Sequence, residues 1–129
     1  MKAKIIFTVI IVVIVVGIAI ALILAITTSG AAVEGGILKV KGMYGVKIPL
    51  SEIESVEKID ALPARGRRTN GISAFGINLG HFSYEKLGKV RLCILSADKP
   101  YLLITAKDEK IILGLGNEKN EAIYNQIKK

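Results

Sequence analysis

Residues 89–115 read KVRLCILSADKPYLLITAKDEKIILGL, three short apolar runs separated by SADKP and KDE. Runs this short, bounded by Asp, Pro and Lys clusters, read as strands, because a buried helix needs a longer stretch to cover a core. Upstream the same signal returns. Leu38 and Val40 alternate with Lys39 and Lys41, and Tyr44, Val46 and Ile48 alternate with Gly45 and Lys47, giving two strands joined at Gly42-Met43. SEIESVEKID (51–60) carries Ser51 and Glu54 at capping-box spacing, but its later residues alternate, and a turn followed by a strand is the expectation, stopped by Pro63. Asn70-Gly71 is the dipeptide best suited to a two-residue hairpin turn, since both central residues need positive φ. Gly76 and Gly80 interrupt the next strand-like stretch, where the alternation of Phe75, Ile77 and Leu79 slips to Phe82 and Tyr84, as a bulge or sharp bend would produce. Downstream, Glu118–Lys128 breaks the strand pattern. Asn117 is placed as N-cap, Glu118 and Glu121 favour the positive helix end, Lys128 and Lys129 the negative one, and Ile123 and Ile127 form one apolar stripe. The expected domain is therefore mainly β, seven or eight short strands in a barrel or sandwich, with a terminal helix plugging its open end.

The beginning of the chain is of another kind. Ile5–Thr27 runs 23 residues without a charged side chain. As a helix it would reach roughly 35 Å, enough for the hydrocarbon thickness of a bilayer. A cleaved signal is the rival reading, because Lys2 and Lys4 make a basic start and Ser29-Gly30-Ala31 is small enough for a peptidase. Signal cores usually run only about 7 to 15 residues, so an uncleaved anchor is expected. The division is then a tail at 1–4, a transmembrane helix at 5–27, a linker at 28–36 (TSGAAVEGG, from Thr28), and one domain at 37–129. Lys2 and Lys4 before the span nearly balance Lys39 and Lys41 after it; the closeness of Lys4 to the lipid edge points to a cytoplasmic tail with the domain outside. Gly17, Ala21 and Ala25 fall four apart on one helix face and would let two such helices pair in lipid.

Of 18 Lys and Arg, 16 follow the span, against all 11 acids, so the remainder carries a net +5. That balance suits an anionic neighbour or simple solubility. Arg65, Arg67 and Arg68 lie within four positions and, with Lys89 and Arg91 alongside, could grip phosphate or carboxylate through planar, charge-assisted contacts. The plainer alternative is an exposed loop where charge costs least. Nucleic acid is disfavoured by the lack of Trp and the few aromatic residues, Phe7 being already in the span. Cys93 is the only cysteine and His81 the only histidine; the first reads as a small buried residue and the second as a half-buried strand residue, with no metal and no cofactor implied. GISAFG (71–76) misses the spacing of a nucleophile elbow, and Gly114-Leu115-Gly116 has Lys119 where a third glycine should stand, so neither carries catalysis.

Several stretches carry a family likeness: GMYGVKIP, DALPARGRRTNG, GINLGHF and YLLITAKDEKIILGLGNEKNEAIY, above all Leu62-Pro63, Arg68-Thr69-Asn70-Gly71 and Gly80-x-Phe82. Over roughly residues 33–128 the chain resembles the bacterial pleckstrin-homology-like domain of small membrane-associated proteins. The resemblance implies a partly open barrel of about seven strands capped by the terminal helix, membrane association and no catalysis. Two features depart from it. Relatives often carry several hydrophobic segments, and here there is one. Lipid-binding eukaryotic members concentrate basic residues on the first hairpin, which here has only Lys39, Lys41 and Lys47, and that argues against phosphoinositide recognition.

The expectation is a non-catalytic, single-pass binding module of the cell membrane whose domain holds a protein partner, with recognition of anionic lipid headgroups or wall polymer by Arg65, Arg67 and Arg68 as the alternative. Alkaline extraction of membranes tests the anchor. The chain should stay in the membrane pellet, and a soluble product trimmed after Ala31 would identify the segment as a cleaved signal.

Overall fold

The computed structural model describes residues 2–42, 44–63, 66–74 and 76–128, and the side chains of all these except Ala25, Ile26 and Ala74. Helix α1 spans Lys2–Thr27. Its Lys2–Leu24 stretch is long and apolar enough to cross a membrane, and none of it is buried against the rest of the chain. A helix apolar on every side has no face to turn to water. At its end the Thr27 hydroxyl donates to Ile23 O (2.8 Å) and the Thr28 hydroxyl to Leu24 O (2.6 Å), the latter carbonyl also accepting the Thr28 N–H (3.0 Å), so side chains reinforce the last turn.

Only Thr28 and Ser29 separate α1 from strand β1 (Gly30–Glu34). Strand β1 pairs antiparallel with β2 (Ile37–Lys41) across Gly35 and Gly36, whose φ values of 59° and 75° fit the two-residue hairpin turn that matches strand twist. Segment 28–36, read from its small residues as a linker, therefore supplies a strand and its turn. Ala31 and Val33 of β1 pack against the core, and the Gly30 N–H reaches the Cys93 sulfur. Strand β3 (Val46–Pro49) completes a three-stranded sheet in the order β1-β2-β3. A 3-10 turn at Leu50–Glu52 then carries the chain to the second sheet, in agreement with the turn expected before a strand.

That second sheet contains β4 (Ile53–Ile59), β5 (Gly66–Ala74), β6 (Ile77–Tyr84), β7 (Gly88–Ile94), β8 (Tyr101–Ala106) and β9 (Lys110–Gly114) in the order β4-β8-β9-β7-β6-β5. All neighbours are antiparallel except β7 and β9. Among the described residues the mainly β domain thus has nine strands in two sheets with a C-terminal helix, as the expected architecture requires, the strand count being higher than the expected seven or so. Both faces of the six-stranded sheet are covered. Leu79, Cys93, Leu102, Ile104, Ile111 and Leu113 join Leu38, Val40 and Ile48 of the small sheet in one cluster. Phe82, Tyr84, Val90, Leu92, Ile94 and Ile112 form another, with Ile59, Leu62 and Leu87 packed against it. The slip from Leu79 to Phe82 is the point where β6 changes from feeding the first cluster to feeding the second; its register with β7 runs unbroken from Asn78 to Tyr84.

The hairpin expected at Asn70-Gly71 lies elsewhere. Asn70 pairs with His81 and Gly71 with Gly80 inside the β5–β6 ladder, and the turn falls between Ala74 and Ile77, where Gly76 has φ 79°. Glycine is needed at 71 and 80 because the two backbones approach so closely that a Cβ on Gly71 would run into Leu79 O and one on Gly80 into Asn70 O. The bulge exists, but it sits on β5 between Arg68 and Asn70.

Helix α2 (Asn117–Lys128) touches β4, β1 and β8, closing the seam between the edge strands β4 and β1 of the two sheets. Ile123 is buried and Ile127 packs against the same cluster. The Asn120 N–H donates to Gly116 O (3.0 Å), so Gly116 stands at the N-cap and Asn117 is the first helical residue, one place later than expected of it. Asn120, only 2 % exposed, fixes the helix: its Nδ2 donates to Pro100 O (3.0 Å) and Leu113 O (3.2 Å), and its Oδ1 accepts from the Leu115 N–H (3.2 Å). One amide so ties α2 to the start of β8 and the end of β9. Asn120→Ala strips three backbone groups of their partner and is expected to cost about 2–4 kcal/mol in urea unfolding, against near zero for Asn125→Ala on the exposed face.

Candidate binding surface

The structure separates the cations that the sequence grouped. Arg65 lies outside the described residues. Arg67 and Arg68 are exposed, successive residues on β5, and alternation sends them to opposite faces. Arg67 stands opposite Ser83, which stands opposite Lys89, so one row crosses three strands and puts Arg67 and Lys89 two strand spacings, roughly 10 Å, apart. Arg68 pairs with Phe82, next to the second cluster.

Arg91 is committed to structure. Its Nε donates to Glu109 Oε1 (2.8 Å) and its Nη1 to Tyr44 O (2.8 Å), with the side chain 13 % exposed. The guanidinium thereby fastens the β2–β3 connection to the six-stranded sheet and to the β8–β9 turn, spending two of its five N–H donors on structure. Beside it, the His81 ring meets Tyr44 edge-on at 5.9 Å. Lys110 Nζ donates to Leu87 O (2.9 Å). A depression of about 180 Å³ here is lined by three cations, Lys89, Arg91 and Lys110, and two acids, Asp108 and Glu109, so its charge is mixed.

Strand direction places this surface. A groove of about 370 Å³ holds Thr27 to Ala31 together with Leu95 and Leu115, so β7 and β9 end where α1 ends. Lys89 lies six residues back along β7 from Leu95, about 20 Å away. The Arg67–Lys89 row is therefore at the end of the domain remote from the helix exit. Sequence reasoning missed Asn120 and the partners of Arg91. Asn120 could have been found, since it precedes Ile123 by three on the same helical face.

On α1, Gly17 and Ala21 are exposed, a Cβ at Gly17 would meet nothing, and the side chain of Ala25 is outside the described set. Cys93 is buried and free of disulfide. Among the described residues no group of three His, Cys, Asp or Glu is placed to hold a metal ion. Lys39 and Lys41 contact Glu34 at 3.4 and 3.6 Å; the Lys39 hydrogen bond, then the charges of both lysines, hold its carboxyl below the usual range.

Residues 30–129 match the family described as the bacterial PH domain. No curated protein and no solved structure matches the chain.

Burial pushes the Cys93 thiol up to about 11 from 9.0, with the Gly30 N–H pulling weakly the other way. Below pH 9 both folded and unfolded chains hold this proton; above it only the unfolded chain releases it, so stability drops as pH rises from about 9 to about 11. Unfolding across that window should show a loss of up to about 3 kcal/mol that Cys93→Ala removes, and native Cys93 should resist thiol reagents until the chain is unfolded.

Proposed function

Because the chain belongs to the bacterial PH domain family, we propose that it is a membrane-anchored, non-catalytic module that holds a protein partner close to the bilayer. The observation that carries this reading is the two-residue junction between α1 and β1. With α1 in the membrane, the domain is held within a few nanometres of any neighbour in the same membrane, and effective concentrations toward the millimolar range make a weak contact sufficient.

The mixed charge of the remote surface supports a protein partner over an anionic polymer. Arg67, Lys89 and Lys110 are accompanied there by Asp108 and Glu109, which a uniformly negative ligand would meet as repulsion. The row lies about 20 Å along β7 from the helix exit, which sets it apart from the point where α1 would leave the membrane. Single-pass topology with the domain outside is part of the reading, on the closeness of Lys4 to the lipid edge, the charges on the two sides of α1 being nearly balanced.

A photo-crosslinking residue in place of Ser83, midway along the row, tests the proposal in native membranes. A discrete heterologous adduct is expected, reduced about tenfold by Arg67→Glu with Lys89→Glu. Self-adducts alone, or an adduct indifferent to the charge reversal, would overturn it.

A further inference from the structure

The groove at the helix exit has a chemistry that the remote surface lacks. Its floor includes Leu95 and Leu115, both half-buried, and Lys41 and Lys119 stand at its sides beside Thr28 and Ser29. The floor is rigid. The Leu95 and Ser96 N–H groups both donate to Gly114 O (2.8 and 2.9 Å), and the Leu115 N–H is held by Asn120. The Thr27 and Thr28 hydroxyls are already spent on helix carbonyls, and the Lys41 and Lys119 ammonium groups bring two positive charges to the rim.

Among the described residues the Lys119 ammonium group has no ion-pair or hydrogen-bond partner. Lys41 lies 3.6 Å from Glu34, an ion pair with both side chains more than half exposed, which water weakens to little and which a better anion can replace. Two residues of extended chain span at most about 7 Å, so a helix α1 that crosses the bilayer holds this groove at headgroup level. Leucine beneath and lysine above is the order in which a glycerophospholipid presents acyl chain and phosphate.

We propose that the groove seats one anionic glycerophospholipid of the anchoring leaflet, its phosphate between Lys41 and Lys119 and the first carbons of its chains on Leu95 and Leu115. The bound lipid fixes how the domain is turned on the membrane. The inference rests on α1 as an anchor and is independent of the partner bound at the remote end.

Native mass spectrometry of the full chain in detergent, supplied with phosphatidylglycerol or phosphatidylcholine, tests it. The wild type should retain phosphatidylglycerol in preference to phosphatidylcholine, and Lys41→Gln with Lys119→Gln should lower that retention about tenfold. Arg67→Gln with Lys89→Gln should leave it unchanged, and soluble glycerol phosphate should fail to displace the lipid. Equal retention of both lipids, an unaffected lysine variant, equal loss in the Arg67 and Lys89 variant, or displacement by glycerol phosphate would overturn the proposal. None of these outcomes touches the Ser83 crosslink, so either idea can fail alone.

Discussion

The six-stranded sheet has to be covered on both faces, and most of the molecule follows from meeting that demand. Ile111, Ile112 and Leu113 of β9 are fully buried although they point alternately to opposite sides. Such a strand reads as a continuous apolar run and tolerates a parallel neighbour, here β7, because no edge of it faces water. The three-stranded sheet covers one side, and α2 closes the seam at β4. On the other side Ile59 at the end of β4 and Leu62 and Leu87 from the connecting segments pack against the cluster. Remove either cover and an apolar face of a small domain would be left wet, which a chain of this size has little stability to offset.

Seen this way, the parts that were legible in the sequence are those governed by one local rule. KVRLCIL, YLLITA and KIILGL are strands wherever they are placed, and the spacing of Ile123 and Ile127 marks a helix without knowledge of its partner. The misreadings come from residue types that serve two ends. Asn70-Gly71 suits a tight turn, but Gly71 is there because Gly80 must pass close to it, a requirement between strands that no window along the chain reveals. The small residues of 28–36 look like a flexible connection, yet Gly30–Glu34 form β1 and the positive φ of Gly35 and Gly36 turns the chain back into β2. The slip at Phe82 imitates a bulge because sequence patterning assumes one wet face, and the central strands of this sheet have none.

Arginines show the same limit at the candidate site. Nothing local distinguishes Arg91 from Arg67, yet one is spent on Glu109 and Tyr44 O while the other faces solvent. Strand polarity, available only from the fold, then divides the domain into two chemically different ends. The end beside α1 combines leucines with two lysines, and the far end mixes both signs of charge. A protein with these two ends can face the membrane with one and a neighbour with the other.

The shortness of the passage from α1 to β1 also has a mechanical meaning. With the last helical turn locked by Thr27 and Thr28 and strand pairing beginning at Gly30, there is almost no slack to absorb torque. One residue added to the helix would swing the whole β body by about 100° around the helix axis while lifting it only about 1.5 Å. Rotation of the helix by its surroundings would therefore redirect the outer surface like a key turned by its stem.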